Sequence, residues 1–90
     1  IAVRIHLDDC DDDNGPLRVL AGSLTAIDRW TAQTAATTLT TRAGGVVVLR
    51  PLLLHASSAA TAPRRRRVLH LDIADVDLPA PFAWHRPRAF

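Results

Sequence analysis

Two segments near opposite ends of the chain alternate between apolar and polar residues, and this alternation constrains the fold more than any other feature. They span residues 1–8 and 66–74. Successive side chains of a β-strand point to opposite faces of the sheet, so each segment predicts a strand with one mostly polar face. That face points outward in a solvated sheet and inward in a barrel that encloses a ligand. The polar faces would consist of Ala2, Arg4, His6 and Asp8 in the first strand and of Arg66, Val68, His70 and Asp72 in the second.

Shorter strands are predicted between these two. Residues 46–49 are uniformly apolar and predict a buried strand, and residues 52–55 continue it in extended form after Pro51 interrupts the ladder. Residues 17–20 and 37–42 predict two more strands. Residues 25–36 are ambiguous, because the spacing of Ile27 and Trp30 would also fit one or two helical turns.

Composition supports a β-rich fold. The chain contains no Lys, Glu or Met, which are strong helix formers, whereas Val, Ile and Thr are plentiful. Dense turn signals, above all residues 11–16, separate the short strands. We therefore expect an all-β, antiparallel sandwich or jelly roll over residues 1–74, followed by a proline-rich irregular tail over residues 75–90.

Length and charge exclude several classes of protein. Ninety residues form one domain at most, and the longest apolar run is far shorter than the ~20 residues of a membrane span. A net charge of +2 gives no reason to expect nucleic-acid binding. Cys10 is the single cysteine, so an intrachain disulfide is impossible and a reducing cytoplasm fits best. Because the chain opens at Ile1 within a strand pattern, we expect it to be a fragment.

The residues best suited to chemistry are His55 and the arginines at 64–67. A neutral imidazole is a good Fe(II) ligand, although a histidine at a strand end also commonly bonds to backbone. A guanidinium binds a carboxylate through two parallel hydrogen bonds, which lysine cannot reproduce. Alternation places Arg66 on the polar face and Arg67 on the apolar one, so Arg66 is the better candidate. Arg64 and Arg65 are expected in a solvated loop.

A second possible metal-binding pattern is His6-Leu7-Asp8. The i, i+2 spacing places both side chains on one strand face, and His55 would formally complete a set of two histidines and one carboxylate. Three-residue patterns of this kind are common by chance. Arg4 and His6 could instead line a cavity.

Five segments, in this order, resemble the bacterial members of the phytanoyl-CoA dioxygenase family. Together they extend over roughly residues 1–84. The segments are Val3-Arg4-Ile5-His6-Leu7-Asp8-Asp9-Cys10, Asp13-Asn14-Gly15-Pro16-Leu17-Arg18-Val19-Leu20-Ala21-Gly22-Ser23, Ala43-Gly44-Gly45-Val46-Val47-Val48, Leu52-Leu53-Leu54-His55-Ala56-Ser57-Ser58 and Arg66-Arg67-Val68-Leu69-His70-Leu71-Asp72.

The resemblance implies a partial double-stranded β-helix, the jelly-roll barrel of the cupin type. It implies Fe(II) and 2-oxoglutarate as cofactors and hydroxylation of a small organic substrate. His55 matches the distal iron-binding histidine, and Arg66 matches the arginine that pairs with the far carboxylate of 2-oxoglutarate, with Arg67 as the alternative. Asn14-Gly15-Pro16-Leu17 matches a structural turn. The resemblance names neither the substrate nor the oligomeric state.

The chain departs from the family pattern in two places. The iron-binding H-x-D of the family lies upstream of the strand that residues 1–8 match, and the usual P-G-S-H reads Ala21-Gly22-Ser23-Leu24 here. We therefore expect part of an Fe(II)/2-oxoglutarate-dependent dioxygenase that is inactive alone. The alternative is a non-catalytic, degenerate jelly-roll binding module.

Overall fold

A computed structural model describes residues 1–22 and 36–85, and the expectations for residues 23–35, including the helical turns and Ser23-Leu24, lie outside these ranges. The described residues form six strands and no helix, which confirms the all-β prediction. The strands are β1 (Ala2–His6), β2 (Leu17–Val19), β3 (Thr37–Leu39), β4 (Val46–Leu49), β5 (His55–Ser57) and β6 (Val68–Asp72).

The strands form two three-stranded antiparallel sheets. In the first sheet β1 lies between β4 and β6, and in the second β2 lies between β3 and β5. Each sheet therefore has a central strand that pairs with segments distant in sequence. This pairing of β1 with β6 joins the two alternating segments directly, with Arg4 opposite His70.

The polar face of β1 points into the molecule, whereas much of the apolar face of the first sheet is exposed. On β6 both His70 and Asp72 remain exposed. Ala2 and His6, which alternate with Val3 and Ile5 along β1, are only 5% and 4% exposed. By contrast Val48 is 60% exposed. The inward orientation is the one expected of a strand that lines a cavity, and the solvated-sheet alternative is wrong for β1. According to the strand register, the outer face consists of Val3, Ile5, Val46, Val48, Leu69 and Leu71.

A small apolar core joins the two sheets. Its buried members come from both sheets, and three half-buried side chains pack against them. The prediction that residues 46–49 form a fully buried strand is wrong, because alternation within β4 leaves Val46 and Val48 exposed and buries Leu49. The core consists of Ala2, Leu17, Val19 and Leu49, with Leu39, Val47 and Leu53 packed against it.

The turn before β2 is held by a buried asparagine. The Asn14 side chain is 1% exposed; its Nδ2 donates to the Asp9 carbonyl at 2.8 Å, and its Oδ1 accepts from the Asp11 amide at 2.8 Å. Gly15 follows with φ at 79°, in the left-handed region that favours glycine. A Cβ at Gly15 would lie 2.8 Å from the Ser58 carbonyl oxygen. The turn thus packs against the end of β5.

Two boundaries differ from the predictions. Residues 51–53 turn instead of continuing in extended form, and His55 opens β5 rather than closing the preceding strand. This follows from Pro51, which ends the ladder of β4, and from the hydrogen bond between the Leu53 amide and the Arg50 carbonyl at 3.0 Å. Residues 73–85 contain no strand or helix.

Candidate functional site

His55 is oriented by a hydrogen bond to its own loop. Its Nδ1 lies 2.6 Å from the carbonyl oxygen of Leu53, and a carbonyl can only accept, so Nδ1 carries the proton. The lone pair of the neutral ring then lies on Nε2. Pairing of His55 with Val19 fixes the backbone of this residue at the start of β5. A histidine whose Nδ1 donates to a carbonyl while Nε2 stays available is the usual arrangement of a metal-binding imidazole.

His55 lines a cavity of about 90 Å³ between the sheets. Its other polar walls are Arg4 from β1 and the pair His70 and Asp72 from β6, and apolar residues complete it. The distance from His70 Nε2 to Asp72 Oδ1 is 3.6 Å. This volume accommodates a carboxylate or a few waters, and it is well below the ~300 Å³ or more of a site for a drug-sized ligand.

Arg66 approaches the turn before β2 and not the cavity around His55. Its Nη1 donates to the carbonyl oxygen of Gly15, in the turn before β2, and Arg66 does not line the cavity around His55. Its guanidinium is close enough to His6 to affect the charge of that imidazole. The structure therefore places Arg66 near His6 and Gly15 and outside the lining of the cavity around His55.

Arg67 is committed to Asp8. The guanidinium donates to both carboxylate oxygens at 2.9 Å, and the Arg67 backbone amide donates to Asp8 at 2.8 Å. The hydrogen bonds from the side chain and backbone of Arg67 hold the pKa of Asp8 well below its usual range. Asp8 is therefore an ionised structural partner of Arg67, and a ligand that used either group would have to break this bidentate pair.

His6, Asp8 and His55 do not assemble a metal site. Within residues 1–22 and 36–85 no group of three or more His, Cys or Asp side chains converges as metal ligands. His6 is buried, and burial together with the nearby Arg4 and Arg66 guanidiniums lowers its pKa. It is therefore neutral at pH 7.

Arg64 lies in an exposed loop, as predicted, and it forms ion pairs there. Its guanidinium bridges Asp11, at 3.1 Å, and Asp13, both in the turn before β2. The aspartates of this turn thus anchor the segment that leads into β6. Because all three side chains are largely exposed, water and salt weaken this contribution.

The cavity joins residues that sequence spacing does not connect. Alternation predicts that His70 and Asp72 share a face, but nothing in the sequence indicates that β6 faces His55 across the sheet interface. The signal available in the sequence was the polar face of β6 itself. A strand with a polar face can be recognised from the sequence as a candidate cavity wall. Which strand forms the opposite wall depends on how the sheets pack and cannot be predicted from spacing.

Comparison with known proteins gives one match. A family model described as phytanoyl-CoA dioxygenase (PhyH) matches residues 1–68, which include β1 to β5 and the start of β6. No curated protein and no solved structure matches the chain. In the described part of the chain, no helix is long and apolar enough to cross a membrane.

Proposed function

This chain belongs to the phytanoyl-CoA dioxygenase family, and from that membership we propose that it takes part in an Fe(II)- and 2-oxoglutarate-dependent oxidation of a small organic molecule. The observation that supports this function is the state of His55, whose imidazole lines a cavity with Arg4, His70 and Asp72 and whose Nδ1 donates to a carbonyl. The family match includes His55 and extends through Arg66. The substrate is a small molecule, and neither nucleic acid nor a membrane is part of the proposal.

His55 would contribute one ligand to the iron through Nε2. The hydrogen bond to Leu53 fixes the tautomer and the ring orientation, and it makes the imidazole a stronger donor. When bound together, Fe(II) and 2-oxoglutarate would supply the chemistry that activates dioxygen, which is the oxidant, and the protein supplies position and electrostatics. The described residues offer this one candidate ligand and no converging set of three, so they fit the metal only in part.

Arg66 would bind the far carboxylate of 2-oxoglutarate, as the family resemblance implies. A guanidinium has five N–H donors, and the Gly15 carbonyl uses one of them. That contact orients the side chain and leaves an edge of the guanidinium for a carboxylate. Since Arg66 does not line the cavity around His55, this role requires an acid that extends beyond the cavity. Arg67 is the weaker choice because Asp8 already occupies its fork.

A titration with Mn(II), which substitutes for Fe(II) without oxidising, tests the metal proposal. Electron paramagnetic resonance measures the dissociation constant for Mn(II). We expect this constant to rise at least about tenfold in His55→Ala, because the variant lacks one metal ligand. His85→Ala is the matched control, because His85 is exposed in the segment after β6 and does not line the cavity. Equal binding by wild type and His55→Ala would refute the role of His55.

These ninety residues alone should not turn over 2-oxoglutarate, because one imidazole holds Fe(II) weakly. Succinate release with Fe(II), 2-oxoglutarate and oxygen should match a protein-free control. Succinate production that disappears in His55→Ala would contradict this expectation and show that the remaining ligands are present.

A second candidate, a non-catalytic jelly-roll binding module, is favoured by the engagement of Asp8 with Arg67 and by the absence of a converging ligand set among the described residues. Thermal stabilisation by Mn(II) with 2-oxoglutarate would argue against it. A melting temperature that neither compound changes would support it.

A further inference from the structure

We propose that Arg4 binds a carboxylate of the acid that enters the cavity around His55. Arg4 is on β1, the central strand of the first sheet, and its side chain lines this cavity opposite the β5 loop. A site for an anion needs a fixed cation with free donors and shelter from water. Arg4 meets both conditions, as its hydrogen bonding and its surroundings show.

The Arg4 guanidinium is sheltered and incompletely bonded. Its Nε is inaccessible to solvent and has no hydrogen-bond partner in the described part of the chain. His6 lies two positions further along β1 on the same face. It is 4% exposed, and its Nδ1 also has no partner in the described part of the chain. A buried N–H without an acceptor costs about 1–3 kcal/mol. The unpartnered Nε–H of Arg4 indicates that an acceptor-bearing molecule completes the site.

None of the aspartates that the structure describes satisfies Arg4. No aspartate within residues 1–22 and 36–85 forms an ion pair with it. Asp72, the carboxylate that shares the cavity, instead approaches His70, the residue directly opposite Arg4 in the sheet. An acidic ligand can therefore reach Arg4 without displacing an existing salt bridge.

The other arginines with assigned contacts are engaged elsewhere. Arg64 binds two aspartates, Arg66 donates to the Gly15 carbonyl, and Arg67 holds Asp8. Arg4 is the one arginine that lines the cavity containing His55. Among described residues it is thus the guanidinium best placed for an anion beside that imidazole.

This inference rests on the proposed function and adds to it a contact near His55 that is separate from Arg66. The carboxylate has two possible sources: one of the two acid groups of 2-oxoglutarate, or an acid group of the substrate. Both present the same planar pair of oxygens to the guanidinium. With about 90 Å³ available, the cavity would hold the acid group and its nearest carbons.

Ligand-observed NMR on the metal-free chain tests the role of Arg4. The probes are 2-oxoglutarate, glutarate and butyrate, and the variants are Arg4→Gln, Arg4→Lys and Arg18→Gln. Arg18 is the matched control because it also occupies the middle of a central strand, but on the exposed side of β2. Circular dichroism confirms that each variant is folded, and the lysine variant, which keeps the charge and the stem, remains informative if Arg4→Gln does not fold.

We expect dissociation constants to rise at least about tenfold in Arg4→Gln and by less in Arg4→Lys, since lysine lacks the bidentate fork. Arg18→Gln should bind as wild type does. A loss confined to 2-oxoglutarate and glutarate would identify the co-substrate as the source, and a loss for butyrate with unchanged 2-oxoglutarate would identify the substrate.

Unchanged binding of all three acids in folded Arg4→Gln, or no binding of any acid by wild type, would overturn the proposal. In the second case ordered water alone satisfies Arg4. The proposed function is tested separately, because it fails if Mn(II) binding does not depend on His55.

Discussion

Replacing Asn14 by alanine should destabilise the protein substantially, because Asn14 holds the turn that precedes β2. Asn14 is 1% exposed and connects two backbone groups, the Asp9 carbonyl and the Asp11 amide, each at 2.8 Å. Alanine removes both partners at once. No neighbouring side chain replaces them, because Asp9 and Asp11 are themselves exposed and directed elsewhere.

The magnitude follows from the number and burial of these bonds. A net hydrogen bond contributes about 0.5–1.5 kcal/mol, and a backbone group left buried without a partner costs about 1–3 kcal/mol. Since both backbone groups are only partly buried, water recovers some of this cost. We therefore expect a loss of about 2–3 kcal/mol in the free energy of unfolding. For a chain of this size that lowers the melting temperature by roughly 10 °C or more.

Thermal and urea unfolding followed by circular dichroism measure this loss. Asp12→Ala is the matched control, because Asp12 lies in the same turn, is exposed and makes no side-chain hydrogen bond with a described residue. It should change the free energy of unfolding by less than about 0.5 kcal/mol. Asn14→Asp should cost about as much as Asn14→Ala at pH 7, since a carboxylate cannot donate to the Asp9 carbonyl. Equal stability of Asn14→Ala and Asp12→Ala would refute the reasoning.

Three further predictions concern single contacts. Gly15→Ala should lower the free energy of unfolding by about 1–3 kcal/mol, and Gly44→Ala by about 1 kcal/mol. Both glycines have positive φ, but of the two only Gly15 lies against another segment. Similar losses for the two variants in urea unfolding would contradict this. The Arg67 contact lowers the pKa of Asp8, so the stabilising effect is complete above the ordinary value of 3.8 and is lost as pH falls below it. The difference in melting temperature between wild type and Asp8→Asn should shrink over that range, and a constant difference would exclude the ion pair as its cause. Val48→Thr, on the exposed outer face, should change the free energy of unfolding by less than about 0.5 kcal/mol, and a loss above 1 kcal/mol would show that this face is covered.

Local patterns predicted the strands well where alternation was strict. β1 and β6 lie within the two alternating segments, and β2 and β4 match their predicted positions within a residue. The turn at Asn14 and Gly15 was predicted as structural, and its hydrogen bonds agree with that role. These features depend on a few consecutive residues, which is why they could be read from the sequence.

The boundary at His55 could not be predicted in the same way. The run from Leu52 to His55 is as apolar as a strand, yet a turn forms after Pro51 and β5 begins at His55. Pairing of β5 with β2 decides the boundary, with His55 opposite Val19. Propensity within the segment carries little weight against the ladder hydrogen bonds that this pairing provides.

The sequence by itself determined the class of fold, the family, and which side chains share a strand face, because a period of two fixes the direction of each side chain relative to its neighbours. Only the tertiary structure decided which face is inside. It directed Arg4 and His6 of β1 inward, left much of the apolar face of the first sheet exposed, and joined His55 to a cavity without Arg66. The physical reason is that alternation specifies two opposite faces but not their surroundings. Those surroundings depend on how the second sheet packs across the core, which joins residues separated by tens of positions in the chain.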